Sequence, residues 1–278
     1  MNLSIQAAGV AAWPASDAGA SLAQAANAAA QADPSSAAHA ASPLIVSAVD
    51  PNDHSRLDRY LSALGAPLKM GGDAEQMAEA LVPAMQSLLQ QRPDLGNAHF
   101  DFALSRGSLV VKSDTLDDAD RAWLQDFLNG NKELLQAAQA FHDDAVAGYA
   151  SWAEADGKPL SAAQLDAVSQ QADGLVSFMD LFKKLGRQAH ATLLAQVSYM
   201  QPDGSRLDLS RDPGSANGFL AFMQGAHTMR DGTATYAGPA GQTVYGGLRG
   251  DIFSMIGTAI PQFLPPSASR SVGLKETA

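Results

Sequence analysis

An α+β fold, predominantly α-helical with one small β-hairpin, is predicted by three observations. Apolar residues recur at three- and four-residue steps through most of residues 53–231, as amphipathic helices require. The period drops to two near residues 100–112, where Phe100, Phe102 and Leu104 alternate with smaller or polar neighbours. The flanks carry neither period. Residues 1–52 are read as a disordered Ala/Ser-rich leader, and residues 232–278 as a loose Gly/Pro-rich tail with a short apolar segment. One helical domain, 53–231, is therefore expected between them.

Composition excludes more functions than it suggests. The 278 residues include no cysteine, and 29 acidic residues outnumber 18 basic ones, for a net charge of -11. Without cysteine there is no disulfide framework, thiolate zinc site, iron–sulfur cluster or thiol nucleophile. The acidic balance opposes nucleic acid, because that binding rests on neutralising phosphates with Lys and Arg. The one tight basic cluster, Lys183-Lys184 with Arg187, is too small to line a groove. The same balance opposes docking on an anionic membrane surface. No stretch approaches the roughly 18 consecutive apolar residues of a membrane span. Residues 1–50 hold 19 alanines and three charges, Asp17, Asp33 and Asp50, and the first base is Arg56. This opening has no basic n-region, twin-arginine pair or arginine-rich presequence.

In the leader, alanine favours helix but buries little area against a core. Pro14, Pro34 and Pro43 interrupt it further, so only a transient helix near Ser21–Gln31 is expected. Leu44-Ile45-Val46 is a short apolar patch, read as an edge strand or a docking tag for a partner. From about Asp53, the spacing of Leu57, Tyr60, Leu61 and Leu64 predicts a helix that Gly65 stops. Gly71-Gly72 punctuates the chain, and Asp73 with Gln76 resembles a capping box opening a second helix. Met77, Leu81, Met85, Leu88 and Leu89 supply its apolar stripe. Pro83 predicts a kink or a boundary, and Arg92-Pro93 ends the run.

Phe100–Lys112 reads as a hairpin turning at Ser105-Arg106-Gly107-Ser108. A lone hairpin is marginal in water, so it must lean on helices. Thr115 is the expected cap of the next helix, whose apolar side is Leu116, Trp123, Leu124, Phe127 and Leu128 and which ends at Asn129-Gly130-Asn131. Leu134, Ala138, Phe141, Ala145, Tyr149 and Trp152 form the clearest amphipathic stripe. Ser161 with Gln164 is a capping box. A long helix is expected over Val176–Val197, bent at Gly186. The turn Gln201-Pro202-Asp203-Gly204, flanked by Tyr199 and by Leu207 and Leu209, suggests a second hairpin. Asp212-Pro213 opens a last helix carrying Phe219, Leu220, Phe222, Met223 and Met229. In the tail, Ile252, Phe253, Met255, Ile256 and Ile260 form an apolar run, read as a partner-binding or docking element.

Candidate chemistry centres on His142-Asp143-Asp144. Adjacent His-Asp on a helix is used by metal-dependent phosphohydrolases, so His142 and Asp143 are the catalytic candidates, with His99, Asp180 and His190 as conceivable additions. His142 and Asp144 diverge by about 200° around a helix, however, and do not share a pocket easily. A solvated face beside Phe141 is the simpler account. The acids from Asp114 to Asp120 lack the glycine of a calcium loop and suit a helix first turn, where the macrodipole favours them. Taking Gly157 as a calcium-loop glycine puts Trp152 and Ala163 at ligand positions, which excludes it. Glu75 and Glu79 share a helix face in a polar setting. No phosphate-binding glycine loop or serine-nucleophile motif occurs, and no cofactor is expected.

The pattern Phe100-x-Phe102, Gly107-Ser108-Leu109, Thr115-Leu116, Ala119-Asp120, Trp123-Leu124, Leu128-Asn129-x-Asn131, Leu134 and Phe141 resembles a module of uncharacterised proteobacterial proteins, over about residues 100–185. That module carries no known activity, so the resemblance transfers no functional residue. The base-free Ala/Ser-rich start, acidic balance and absence of cysteine resemble substrates of type III or flagellar-type export, which are threaded unfolded through a narrow channel. The expectation is a bacterial protein–protein interaction protein, held in the cytoplasm before export and contacting a protein partner through Leu44, Ile45, Val46, Ile252, Phe253 and Ile256. A metal-dependent hydrolase using His142 and Asp143, and an intracellular interaction domain that is not exported, are the alternatives. Partner identity and oligomeric state are left open.

Overall fold

In a computed structural model of the chain, residues 51–256 are described, with side chains from Leu57 onward. They belong to one compact unit. The expected leader, including Leu44, Ile45 and Val46, and the tail beyond Ile256 lie outside the described residues.

Helix α1 runs without interruption from Pro51 to Gln91. The expected break at Gly65 and the fresh start at Asp73 are therefore corrected: Gly65, Gly71, Gly72, Asp73 and both Pro67 and Pro83 lie inside it. An interior proline costs about 3 kcal/mol and a glycine up to about 1 kcal/mol, so local propensity alone would break this helix. Tertiary packing offsets that cost. Ala63, Ala66, Met70, Ala74, Met77, Ala78 and Leu81 are buried along α1, and they face a second long helix described below.

A 3₁₀ turn at Pro93–Leu95 leads into strands β1 (Asp101–Ser105) and β2 (Ser108–Lys112). The strands pair antiparallel, with Phe102 opposite Val111 and Leu104 opposite Leu109. Arg106 and Gly107 at the turn both have positive φ, as a tight hairpin requires. The free edge of β2 is covered by helix α2, Asp118–Asn129. There the Asn129 amide accepts from Leu109 N at 2.8 Å and donates to Leu109 O at 2.8 Å, while Gln125 accepts from Val111 N. Side-chain amides thus stand where a third strand would. Asp117, not Thr115, caps α2, accepting from Asp120 N. The acids of that run are spent on the cap and on ion pairs, Asp120 with Arg92 at 2.8 Å and Asp118 with Arg121.

Helix α3 (Lys132–Ala155) is capped by Asn131 and buries Leu134, Ala137, Ala138, Phe141, Ala145 and Gly148. It runs antiparallel to α1. Asn131 donates to Ala80 O, and at the other end Tyr60 stacks edge-on against Trp152 and donates to Asp156. Helix α4 (Ala162–Ala172) begins with the expected Ser161–Gln164 capping box. Helix α5 (Phe178–Thr192) is shorter than the expected Val176–Val197 span. Asp101 ties it to the hairpin by accepting from Met179 N and Asp180 N. Gly186, inside α5, admits the Leu209 carbonyl, with which an added Cβ would collide.

Around α5 the aromatic core is continuous. Phe178 meets Phe102 and Phe141 at 5.3 and 5.4 Å, and Phe182 meets Phe219, Phe222 and Phe253 at 5.6–6.3 Å. Each buried ring contributes about 2–3 kcal/mol. Helix α6 (Ala216–Asp231), capped by Ser215 rather than at Asp212-Pro213, supplies Phe219 and Phe222.

The small hairpin expected at the Gln201–Gly204 turn is present: Met200 bridges Arg206, Leu207 N donates to Tyr199 O and Gln201 N to Ser205 O, both at 2.8 Å. Strand β3 (Ser198–Met200) leads into this turn. It pairs along its length with β4 (Thr233–Ala237), which pairs with β5 (Thr243–Gly246). The Gly- and Thr-rich stretch after Gly232 therefore forms strands where a loose tail was expected. The chain then returns to α1. Ile252, Phe253 and Ile256 are at most 4% exposed, so they are core residues and not a free partner surface, which corrects their expected role. Their seat is Gly71, where an added Cβ would lie 2.7 Å from Phe253 O.

Two neighbouring glycines give a test. Gly71→Ala is expected to destabilise by ~1–2 kcal/mol through this clash, whereas Gly72→Ala, which meets nothing within 4 Å, is expected to stabilise by about 1 kcal/mol. Urea denaturation measures both. Effects of the same sign would show that the Phe253 segment does not rest on α1.

Candidate functional site

His142 and Asp143, the catalytic candidates, do lie together, with Nδ1 3.1 Å from Asp143 Oδ1. The other ring nitrogen is 3.2 Å from the Ser169 carbonyl and 3.8 Å from Asp173 Oδ1. Both nitrogens face oxygen acceptors, and the ring links α3 to α4 with its side chain only 10% exposed. Its neighbours Phe141, Ala145, Leu175 and Phe178 line an apolar cavity of about 20 Å³, room for about one water. The other proposed participants lie elsewhere: His190 is 3.6 Å from Asp208, and His99 and Asp180 line a separate cleft. Among the described residues no group of three His, Asp or Glu side chains is placed to hold a metal ion.

Asp144 points the other way, as its helical angle requires. It faces Asp73 across the α1–α3 seam. Asp73 is 9% exposed, and its Oδ2 has no hydrogen-bond partner. Burial first, then the charge and hydrogen bond of Asp144, push the Asp73 carboxyl up to about 6, against the opposing charge of Lys69. A proton held on Asp73 lets it donate to Asp144 and removes one buried charge.

The polar cleft of about 340 Å³ collects His99, Asp101, Lys112, Ser113, Asp114, Thr115, Asp180, Lys183 and Asp212. Sequence spacing gave no sign of it, because its members come from four separate segments. Ser113 Oγ and Thr115 Oγ1 donate to the His99 carbonyl, not to its ring. Lys183 pairs with Asp212, and Lys184 with Asp180 at 2.8 Å. Against the cost of burial, the Lys183 ammonium, the Gly214 N–H and nearby His99 hold the Asp212 carboxyl below its usual value. Hydroxyls aimed at a carbonyl and cations already matched make this a seam between hairpin, α5 and the loop before α6. No nucleophile–base pair is formed there. Glu75 and Glu79, noted for their shared face, are likewise engaged, by Arg230 at 3.0 and 3.3 Å and by His227 at 2.7 Å.

An apolar row is exposed on α1. Leu57, Leu61, Leu64 and Leu68 are 53–68% exposed. The leucines that predict the helix are thus on its outer side, and over the same turns its buried residues are Ala63, Ala66 and Met70. The leucines' steps of four, three and four residues keep them on one face over about three turns. No helix of the described residues is long and apolar enough to cross a membrane.

No family model, no curated protein and no solved structure matches this chain.

The Asp73 pair sets a pH signature. Between pH 4 and 6 the unfolded chain releases this proton while the folded chain keeps it, so the group's contribution to stability falls over that window and stays low above it. Asp73→Asn is expected to stabilise the protein at pH 8, by ~1–2 kcal/mol, and to have no such advantage near pH 3.5. Denaturant midpoints at the two pH values measure this. An equal effect at both would place the proton elsewhere.

Proposed function

We propose that this chain is a bacterial protein–protein interaction protein, a substrate or accessory of a type III or flagellar-type secretion system. The observation that carries the interaction reading is the leucine face of α1. Contiguous exposed apolar surface is uncommon on a monomer and marks contact sites. Here four leucines line one helix face, while the titratable clusters are paired among themselves. Helix-on-helix or helix-in-groove docking reads such a face through i, i+4, i+7 anchors.

The export reading is supported by the leader's composition. Its 19 alanines and lack of any base in residues 1–50 suit a segment that stays unfolded for threading, and a chain without cysteine forms no disulfide that would block passage. Protein is the partner class; the net charge of -11 argues against nucleic acid. The chain would reside in the bacterial cytoplasm before export.

Two measurements test this function. The tagged full chain is expected in the medium of cells with a working type III apparatus, and in neither the apparatus-deficient strain nor a variant lacking residues 1–50. Retention in every strain would assign it to an intracellular interaction role. Cross-linking in the source cell is expected to join the wild type, but not Leu61→Glu/Leu64→Glu, to another polypeptide. An unchanged cross-link pattern would remove the leucine face from the account.

A further inference from the structure

The spacing of the exposed leucines carries more than the presence of an apolar patch. Leu57, Leu61, Leu64 and Leu68 fall at alternating steps of four and three, the d, a, d, a positions of a heptad. Such a seam is matched by another helix with the same seam. Just beside it, Gly65 meets nothing within 4 Å of an added Cβ. An interior helix glycine costs up to about 1 kcal/mol, and nothing within a single copy requires this one. A second helix packed against the stripe would use the space that a side chain at 65 would fill.

We propose that the occupant of this face is the same face of a second copy of the chain, packed antiparallel. The inference rests on the reading of the face as a protein-binding surface and names its partner. A two-fold axis between Leu61 and Leu64 pairs Leu57 with the partner copy's equivalent of Leu68, and Leu61 with that of Leu64. Local charge does not oppose this arrangement. The chain as a whole carries -11, yet residues 51–70 hold Asp53 and Asp58 against Arg56, Arg59 and Lys69. This is a near-neutral stretch where two acidic bodies can approach. The chain's own leader is a poorer occupant. Its larger apolar residues, Leu3, Ile5, Val10, Trp13 and Leu22, are scattered among alanines, and Leu44-Ile45-Val46 is contiguous and lacks heptad spacing.

The twelve residues of the seam span about 16 Å, a small interface, so reversible association in the micromolar range is expected. Sedimentation equilibrium of the purified full chain from ~1 to 200 μM reads it directly. The expected mass rises towards twice the 28.9 kDa chain. Leu61→Glu/Leu64→Glu is expected to stay at one chain mass with unchanged circular dichroism. Tyr245→Glu/Leu248→Glu, on the exposed side chains of and beyond β5, is expected to dimerise as the wild type does. A single-chain mass at every concentration overturns the proposal, and so does a dimer that survives the leucine substitutions. If the chain is monomeric but the leucine face still cross-links to a different polypeptide in cells, only the second-copy inference fails. If it is monomeric and the face cross-links to nothing, the interaction reading fails with it.

Discussion

The close antiparallel pairing of α1 with α3 is the constraint on which the rest of the structure depends. The two helices pack against each other, and small residues are buried on both: Ala63, Ala66, Ala74 and Ala78 on α1, and Ala137, Ala138, Ala145 and Gly148 on α3. Small residues let two helices approach closely, and interaxial distance follows side-chain size. That seam keeps α1 helical through two prolines and three glycines, which propensity alone would not. It also places Asp73 opposite Asp144 and forces the leucines of α1 to the outside. The bulkier core then gathers around α5, where Phe178 and Phe182 connect the hairpin, α3, α6 and the returning Phe253 segment.

Seen from this seam, the polar groups divide into supports and a surface. His142, Asp101, Asn129 and the Glu75/Glu79–His227–Arg230 cluster each bridge two elements. They complete hydrogen bonds that would otherwise cost more than they contribute. None of them presents a free lone pair beside an activated nucleophile. The leucine face of α1 stands apart from these bridges, with its four side chains 53–68% exposed.

Much of the helical outline was legible in the sequence. The hairpin at 101–112, the Ser161–Gln164 capping box and the stripe from Leu134 to Ala145 appear where the periodicity places them. Three features were not legible, each for a physical reason. Gly71-Gly72 and Asp73 look like a break and a cap, because local propensity cannot register that Phe253 packs over Gly71 and that Asp73 lies against Asp144. The leucines of α1 look like a core stripe, because periodicity fixes a face but not its direction. Only the alanine set at 63, 66, 74 and 78 reveals which face is inside. Strands β4 and β5 look like tail, because Thr, Gly and Tyr pair there through the backbone with little apolar alternation. The role expected for Ile252, Phe253 and Ile256 failed for a related reason. An apolar run in a polar stretch announces contact, and here the contact is with the chain's own α1 and α5.

The continuity of α1 is the claim on which the seam, the outward leucines and the Asp73 pair all stand. The chain contains no cysteine, so spin labels at Ser62→Cys and Gln86→Cys, both exposed positions, report one distance without background. A continuous helix predicts a narrow distribution centred on a backbone separation of ~36 Å, set by 1.5 Å per residue. A broad or much shorter distribution, as from two helices joined at Gly71-Gly72, would contradict it.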